Sequence, residues 1–312
     1  MEDIKKLLVK VAYYYYRKEL TQGEIADKLH MSRQRVNRLL KKVKDEGIVT
    51  IQINGFFENH VNLESQLEEK YKLERAVVIP YIGNEDMYKG LGAAGADYLM
   101  SILRDNYTIG VAWGKTIFNL ASCISDKENS FDDISVVQLV GSFNDENSPK
   151  QSDEITRILS NKLKAKSYFM FAPTYVKSAK ARKALLEEES IKNVFDKMKN
   201  CDAIVYSIGE LGGTYSPFKT TIFKEQEKEI IKRGAVGNIC MRYFDIDGKI
   251  LDIDLHKTVM SIDVDTLKNT PQVVCVAGGR QKEKAILGGL RGGLMKTLIT
   301  DHITAKNILN ID

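Results

Sequence analysis

Seven short apolar runs punctuate the chain between residues 76 and 301: "AVVIP", "TIGVAW", "ISVVQLV", "SYFMFA", "AIVYSIG", "VVCVAG" and "TLITD". Each has the length of a strand, and each is apolar at consecutive positions instead of alternate ones. A strand with apolar side chains on both sides must be covered on both sides, which is the situation of a parallel sheet wrapped by helices. Amphipathic stretches such as "SAKARKALLEEESIKNVFDKMKN" and "KEQEKEIIKRG" fall between most of the runs. With right-handed crossovers, this pattern predicts a doubly wound α/β domain with a mostly parallel sheet. A chain of 312 residues corresponds to about two domains. "NGFFENH", Asn54 to His60, reads as the linker, and "VNLESQLEEKYKL" as the amphipathic helix that opens the larger part. The expected division is residues 1–55 and residues 56–312.

Charge separates these two parts. Residues 1–56 hold 12 Lys+Arg and 7 Asp+Glu, whereas the remainder holds 34 basic and 35 acidic residues. The small segment carries the whole excess of +4, as a nucleic-acid-binding module attached to a near-neutral domain would. Within it, "LTQGEIADKLHMSRQRVNRLLKKVKDEG" contains two helix starts. Thr21 followed by Glu24 is a capping box, and Ser32 can cap a second helix on which Val36, Leu39, Leu40 and Val43 recur at helical spacing. The break at His30-Met31 forces the helices to cross, with small Ala26 at the crossing. The usual turn glycine is replaced by His30, a residue that tolerates positive φ better than a branched one. The second helix carries six basic residues and no acid between Ser32 and Lys44. Such a helix-turn-helix places its second helix in the major groove. Ser32, Arg33, Gln34, Arg35, Asn37 and Arg38 lie off the apolar face as candidates for base edges. Lys41, Lys42 and Lys44 are candidates for phosphates. Thr21 and Gln22 at the first helix start are grouped with the DNA-binding residues. "GIVTIQI" then alternates as a wing or connecting strand would. Of the four tyrosines Tyr13 to Tyr16, two are expected in the small core and two outside, since four neighbours cannot share one helix face.

The four cysteines are far apart and lack metal-ligand spacing, so buried free thiols are expected at Cys123, Cys201, Cys240 and Cys275. No apolar run approaches the ~20 residues that cross a bilayer, and "MEDIKKLLVK" is not a secretion signal. A cytoplasmic protein without metal or cofactor is expected.

In doubly wound sheets, ligands sit at the carboxyl ends of strands. Here those ends are "GVAWGKT" with Gly114, Lys115 and Thr116; "VVQLVGS" with Gly141 and Ser142; "VYSIGELGGTYS" with Gly209 and the pair Gly212-Gly213; and "CVAGGRQK" with Gly278, Gly279, Arg280 and Lys282. Glycine lets backbone N–H groups approach an oxyanion, and a helix N-terminus adds positive potential. With Lys282 nearby, a phosphate or carboxylate is the expected ligand group. None of these loops matches G-x-x-x-x-G-K-[ST] or a G-x-G-x-x-G opening a βαβ unit, which argues against nucleoside triphosphates and dinucleotides.

The chain resembles the SorC family of bacterial sugar-responsive transcriptional regulators. The resemblance spans nearly its whole length. It is carried by the helix-turn-helix segment, "IGVAWGKTI", "APTYV", "CDAIVYSIGELGG", "GAVGNICMRYFDIDGKIL", "VAGGRQKEKAILGGLRGG" and "LITDHITA". It implies an effector domain similar to sugar-phosphate isomerases and deaminases, a phosphorylated sugar or polyol as effector, operator DNA as partner, and a homo-oligomer, commonly a tetramer. It further implies that Asp245 and Lys282 line the effector pocket. Asp245 would accept from sugar hydroxyls, while Lys282 and the Gly278–Gly279 amides would take the phosphate. "VVQLVGS" carries no lysine, so Schiff-base capture from that strand end is not expected. Two rival readings are a sugar-phosphate isomerase or deaminase with an appended DNA-binding domain, and a DNA binder whose α/β domain only oligomerises. The first leaves the DNA-reading helix unexplained and lacks a paired carboxylate-plus-base constellation.

Overall fold

The computed structural model describes residues 2–50, 60–81, 83–125, 131–142, 151–211 and 224–311. Two compact units emerge, residues 1–56 and residues 57–312.

In the first unit, α1 (Glu2–Ala12) runs into a π-helical turn at Tyr13–Arg17, followed by α2 (Gln22–Lys28) and α3 (Arg33–Asp45). The core is small: Leu8, Val11, Ile25, Ala26, Val36, Leu40 and Val43 are buried. Tyr14 and Tyr16 pack against it, while Tyr13 and Tyr15 face out. The wider turn of a π-helix accommodates the crowded tyrosines, and Lys10 and Lys28 both lie over the Tyr14 ring. Gly47–Thr50 form no strand, and the rest of the expected wing, like most of the linker, lies outside the described residues.

In the second unit, α4 (Val61–Tyr71) and β1 (Arg75–Ile79) precede α5 (Asn84–Ile102), β2 (Thr108–Val111), α6 (Lys115–Cys123), β3 (Ser135–Gln138), α7 (Ser152–Leu163) and β4 (Lys166–Tyr168). There follow α8 (Ala179–Glu187), α9 (Glu189–Lys199), β5 (Ala203–Tyr206), α10 (Lys224–Lys232), β6 (Gly237–Ile239), β7 (Arg242–Phe244), α11 (Val264–Asn269), β8 (Gln272–Val276), α12 (Glu283–Arg291), β9 (Thr297–Asp301) and α13 (His302–Ile311). Six of the seven apolar runs become strands of one sheet, and of "SYFMFA" only Ser167 and Tyr168 join its edge strand β4; the order is β1-β9-β8-β5-β2-β3-β4. Every pair in it is parallel. The long helical stretch at 178–200 is two helices, α8 and α9. The antiparallel pair β6-β7 was not anticipated; its short strands lack the length and the alternation that mark a hairpin.

Successive residues of each strand feed opposite layers. Ile204, Tyr206, Val273 and Cys275 pack with α9, α12 and α13 on one face. Ala203, Val205, Val274 and Val276 pack with α5, α6 and α7 on the other. Each buried Val or Ile contributes about 1.5–3 kcal/mol relative to exposure, so two-sided burial explains the unbroken apolar runs. Three cysteines are buried free thiols, but Cys123 is exposed. α6 buries Thr116, Ile117, Leu120 and Ala121, and Cys123 is the last residue of that helix.

The strand order fixes where a ligand can enter. From β2 the chain moves outward through β3 to β4; it then returns to the opposite side of β2 with β5 and proceeds to β8 and β9. The direction of winding therefore reverses between β2 and β5. The helices that follow these strands diverge to opposite faces and leave a crevice at the carboxyl ends.

Candidate functional site

A cleft opens at this switch point. It draws on the end of β2 (Ala112, Trp113, Gly114), the start of α6 (Lys115, Thr116), the end of β5 (Ser207 to Glu210), the β6-β7 pair (Asn238, Cys240), Tyr88 of α5, and Lys282.

Two glycines shape it. Gly114 and Gly279 have φ of 117° and 99° and serve as N-caps, one for α6 and one for the short turn Arg280–Lys282 that leads into α12. A side chain at either φ would be strained. Gly114 offers no side chain to cap α6, so the first N–H groups of that helix stand at the cleft with the positive end of the helix dipole behind them. Gly209 serves a different purpose. It exchanges backbone hydrogen bonds of 2.9 and 3.0 Å with Asn238, which hang the small sheet on the end of β5. A Cβ at Gly209 would sit 2.5 Å from the Asn238 amide nitrogen.

Lys282 Nζ donates to Ser207 Oγ at 3.3 Å. Burial pushes its ammonium below the usual lysine range, opposed by the Glu210 carboxylate and the Cys275 thiol. A cation held this way is poorly hydrated and gains much from an anionic ligand. Lys115 Nζ lies 4.5 Å from the centroid of the Tyr88 ring. Burial pushes the Cys240 thiol up to about 12, so it lines the cleft as a neutral group.

Of the residues singled out from sequence, Gly114, Lys115, Thr116, Gly209 and Lys282 meet in this cleft. The others are placed elsewhere. Gly141 N–H donates to the Met260 carbonyl, Ser142 N–H donates to the Ala172 carbonyl, and Ser142 Oγ donates to Asp153. Both are committed to the packing beyond β3, and Ser142 borders a separate concavity with Phe169 and Phe171. Asp245 closes the turn after β7: its Oδ1 accepts from the N–H groups of Asp247 and Lys249 at 3.0 and 2.9 Å. It is not in the cleft, and Glu210 is the acid there instead. Gly279 N–H donates to Asp301 Oδ2 and Thr304 Oγ1, both at 2.8 Å. Gly278 lies against the same carboxylate. The Gly279 amide is thus committed to the protein, and the helix N-terminus at the cleft is that of α6. Arg280 is exposed outside the lining. Gly212 and Gly213 lie outside the described residues.

Sequence reasoning missed Tyr88, Trp113, Asn238 and Glu210. A signal existed for two of them: Trp113, the chain's single tryptophan, ends an apolar strand run, and Glu210 directly follows Gly209.

The first unit presents a second candidate site. Thr21 Oγ1 accepts Glu24 N–H, and Glu24 Oε2 accepts Thr21 N–H at 2.7 Å, so both halves of the capping box form. His30 takes φ of 52° in the turn, and Met31 N–H reaches the Ala26 carbonyl. Ser32 caps α3 through Arg35 N–H. Ser32, Arg33, Gln34, Arg35, Asn37, Arg38, Lys41 and Lys42 are all exposed, and Val36, Leu40 and Val43 are all buried. Lys42 also forms a surface pair with Glu46 at 3.4 Å. Thr21 and Gln22 share a shallow concavity with Arg33 and Tyr15.

A family model for a sugar-binding domain (Sugar-bind) matches residues 56–310, and a MarR family model (MarR_2) matches residues 11–55. The chain is 28% identical over 308 residues to the deoxyribonucleoside regulator of Bacillus subtilis, covering 98% of each. It is 30% identical over 306 residues to the transcriptional regulator LsrR of Escherichia coli, covering 97% of this chain and 94% of that one. The crystal structure of the full-length sorbitol operon regulator SorC from Klebsiella pneumoniae superposes with a TM-score of 0.77 at 27% identity, over 97% of this chain and 98% of that one.

Proposed function

Since the chain belongs to the SorC family of transcriptional regulators, in which a helix-turn-helix accompanies a sugar-binding domain, we propose that it represses a carbohydrate-catabolic operon and releases its operator on binding a phosphorylated sugar or polyol. The observation that carries the effector half is the convergence of the α6 N-terminus and the Lys282 ammonium on one cleft at the strand-order reversal. Backbone amides, a helix dipole and a poorly hydrated cation together suit a dianionic phosphate. Gly114, Thr116, Gly209 and Lys282 belong to this site; Gly278, Gly279 and Asp301 hold the loop that presents Lys282.

On the DNA half, Ser32, Arg33, Gln34, Arg35, Asn37 and Arg38 face the base edges, while Lys41, Lys42, Thr21 and Gln22 contact the backbone. Residues 57–312 assemble the protein into a homo-oligomer, a tetramer by analogy with the family, and so deliver the small basic modules to the operator in pairs. Among the described residues no helix is long and apolar enough to cross a membrane, which suits a cytoplasmic regulator.

The test is operator binding followed by fluorescence anisotropy with a panel of sugar phosphates, together with calorimetric titration of phosphorylated and unphosphorylated forms of the same sugar. Release by a phosphorylated sugar alone supports the reading. Equal affinity for the two forms removes the phosphate from it.

A further inference from the structure

Among the described residues that line the cleft, Glu210 is the single acid and Lys115 and Lys282 are the two cations. Glu210 follows Gly209 at the end of β5, the strand end that also supplies Ser207, the hydrogen-bond partner of Lys282. Its charge reaches Lys282, since the carboxylate favours the protonated ammonium. The cleft therefore carries both polarities. Its cationic half accounts for a phosphate; Glu210 helps to keep Lys282 charged there, but its own oxygens are acceptors that a phosphate cannot satisfy.

We propose that Glu210 reads the unphosphorylated end of the effector, restricting the cleft to sugar or polyol monophosphates whose remaining positions are free hydroxyls and excluding bisphosphates. The proposal rests on the cleft being the effector site. An ionised carboxylate offers only acceptor lone pairs, so it is satisfied by O–H donors. Two neighbouring hydroxyls can each donate to one carboxylate oxygen, and such charge-assisted bonds are the strong ones. One phosphate carries about −1.5 to −2 charges, which two ammonium groups and the α6 N-terminus can match. A second phosphate would bring the same charge again with no further cation among the described lining residues. It would also present acceptor oxygens to an acceptor. Like charges confined together in a half-buried site repel far more strongly than in water.

The experiment is isothermal titration of the full-length protein and its Glu210→Gln variant with three kinds of probe. These are a panel of aldose and polyol monophosphates, inorganic phosphate, and fructose 1,6-bisphosphate. The best-binding monophosphate is expected to lose about tenfold or more in affinity in Glu210→Gln. Inorganic phosphate, which has no sugar hydroxyls, is expected to bind the variant at least as tightly as the wild type, and the bisphosphate to bind it more tightly. Parallel weakening of monophosphate and inorganic phosphate overturns the proposal, as does a wild-type protein that binds the bisphosphate as well as its best monophosphate. Should Glu210→Gln fail to fold, Glu210→Asp keeps the charge but withdraws it; it should weaken the monophosphate and still exclude the bisphosphate, and equal binding of the two by this variant overturns the proposal. Lys282→Ala separates the underlying reading. If it leaves phosphate binding unchanged, or if no monophosphate binds the wild type, the cleft is not the effector site and the proposal falls with it, without reference to Glu210.

Discussion

The Asp301 carboxylate, fully withdrawn from solvent, accepts the backbone N–H of Gly279 at 2.8 Å. The same carboxylate accepts the N–H groups of Ile303 and Thr304 and the Thr304 hydroxyl at the start of α13. One side chain at the end of β9 thus caps a helix and pins the loop that carries Lys282. Asp301→Ala leaves these donors buried and unmet. It is expected to lower the unfolding free energy of residues 57–312 by about 2–4 kcal/mol and to weaken effector binding. Urea denaturation measures the first; a loss under about 0.5 kcal/mol would mean the loop is held by something else.

Lys282→Ala is expected to abolish the response of operator binding to effector and to leave effector-free operator affinity within about twofold, since coupling between sites needs a ligand that discriminates between states. Anisotropy titrations with and without effector decide this. Loss of operator binding in the effector-free variant would instead assign Lys282 to the fold or the assembly.

Arg35→Ala is expected to cost about 1–3 kcal/mol of operator affinity and to relax the preference at one base pair. Lys42→Ala should weaken all sequences alike and reduce the salt slope by about 1. An unchanged sequence preference in Arg35→Ala would place base reading on another residue.

His256 Nε2 accepts the Tyr243 N–H at 2.9 Å. Burial, then the Arg242 guanidinium, push the imidazole down to about 4, against a hydrogen bond with Leu251 that pulls it up. Unfolding returns the ring to its ordinary value of about 6.5. Between these values the unfolded chain holds a proton that the folded chain lacks. Stability therefore falls as the pH drops from 6.5 through 4, by up to about 3 kcal/mol from this group. In His256→Gln, which keeps an acceptor but does not titrate, urea unfolding should show a correspondingly smaller loss between pH 7 and 4.

Residues 57–312 expressed alone are expected to fold, oligomerise and bind effector while losing DNA binding, because an α/β unit of this size buries its own core. A monomer in sedimentation experiments would refute the assembly role given to this unit.

The large sheet was legible because burial writes itself into the sequence: six of the seven apolar runs are its strands, and the exception, "SYFMFA", gives only Ser167 and Tyr168 to the exposed edge strand β4. The helix-turn-helix was legible because caps act locally, and Thr21, Glu24, Ser32 and His30 do what their types and spacing predict. The cleft was legible only in part. Which glycine-rich strand ends converge depends on strand order, so Gly141 could not be told from Gly114 by composition. Whether an amide is free depends on distant partners. Asp301 is far from Gly279 in the chain, and nothing local to "VAGGRQK" reveals that Asp301 takes its N–H. Asp245 showed the same ambiguity, since an acid before Asp247-Gly248 suits a turn as well as a ligand.

Strand β1 lies at the sheet's edge, and its one neighbour is β9, with Arg75 opposite Thr297. During synthesis the first strand of this sheet is therefore among the last to find its place. At about 5–20 residues per second, it waits for nearly the whole of the remaining chain. The helix-turn-helix, whose core spans only Leu8 to Val43, is complete long before that. A nascent chain thus passes through an interval in which a basic DNA-reading module exists without its sensor, and the apolar β1 run is the segment that a chaperone would have reason to hold.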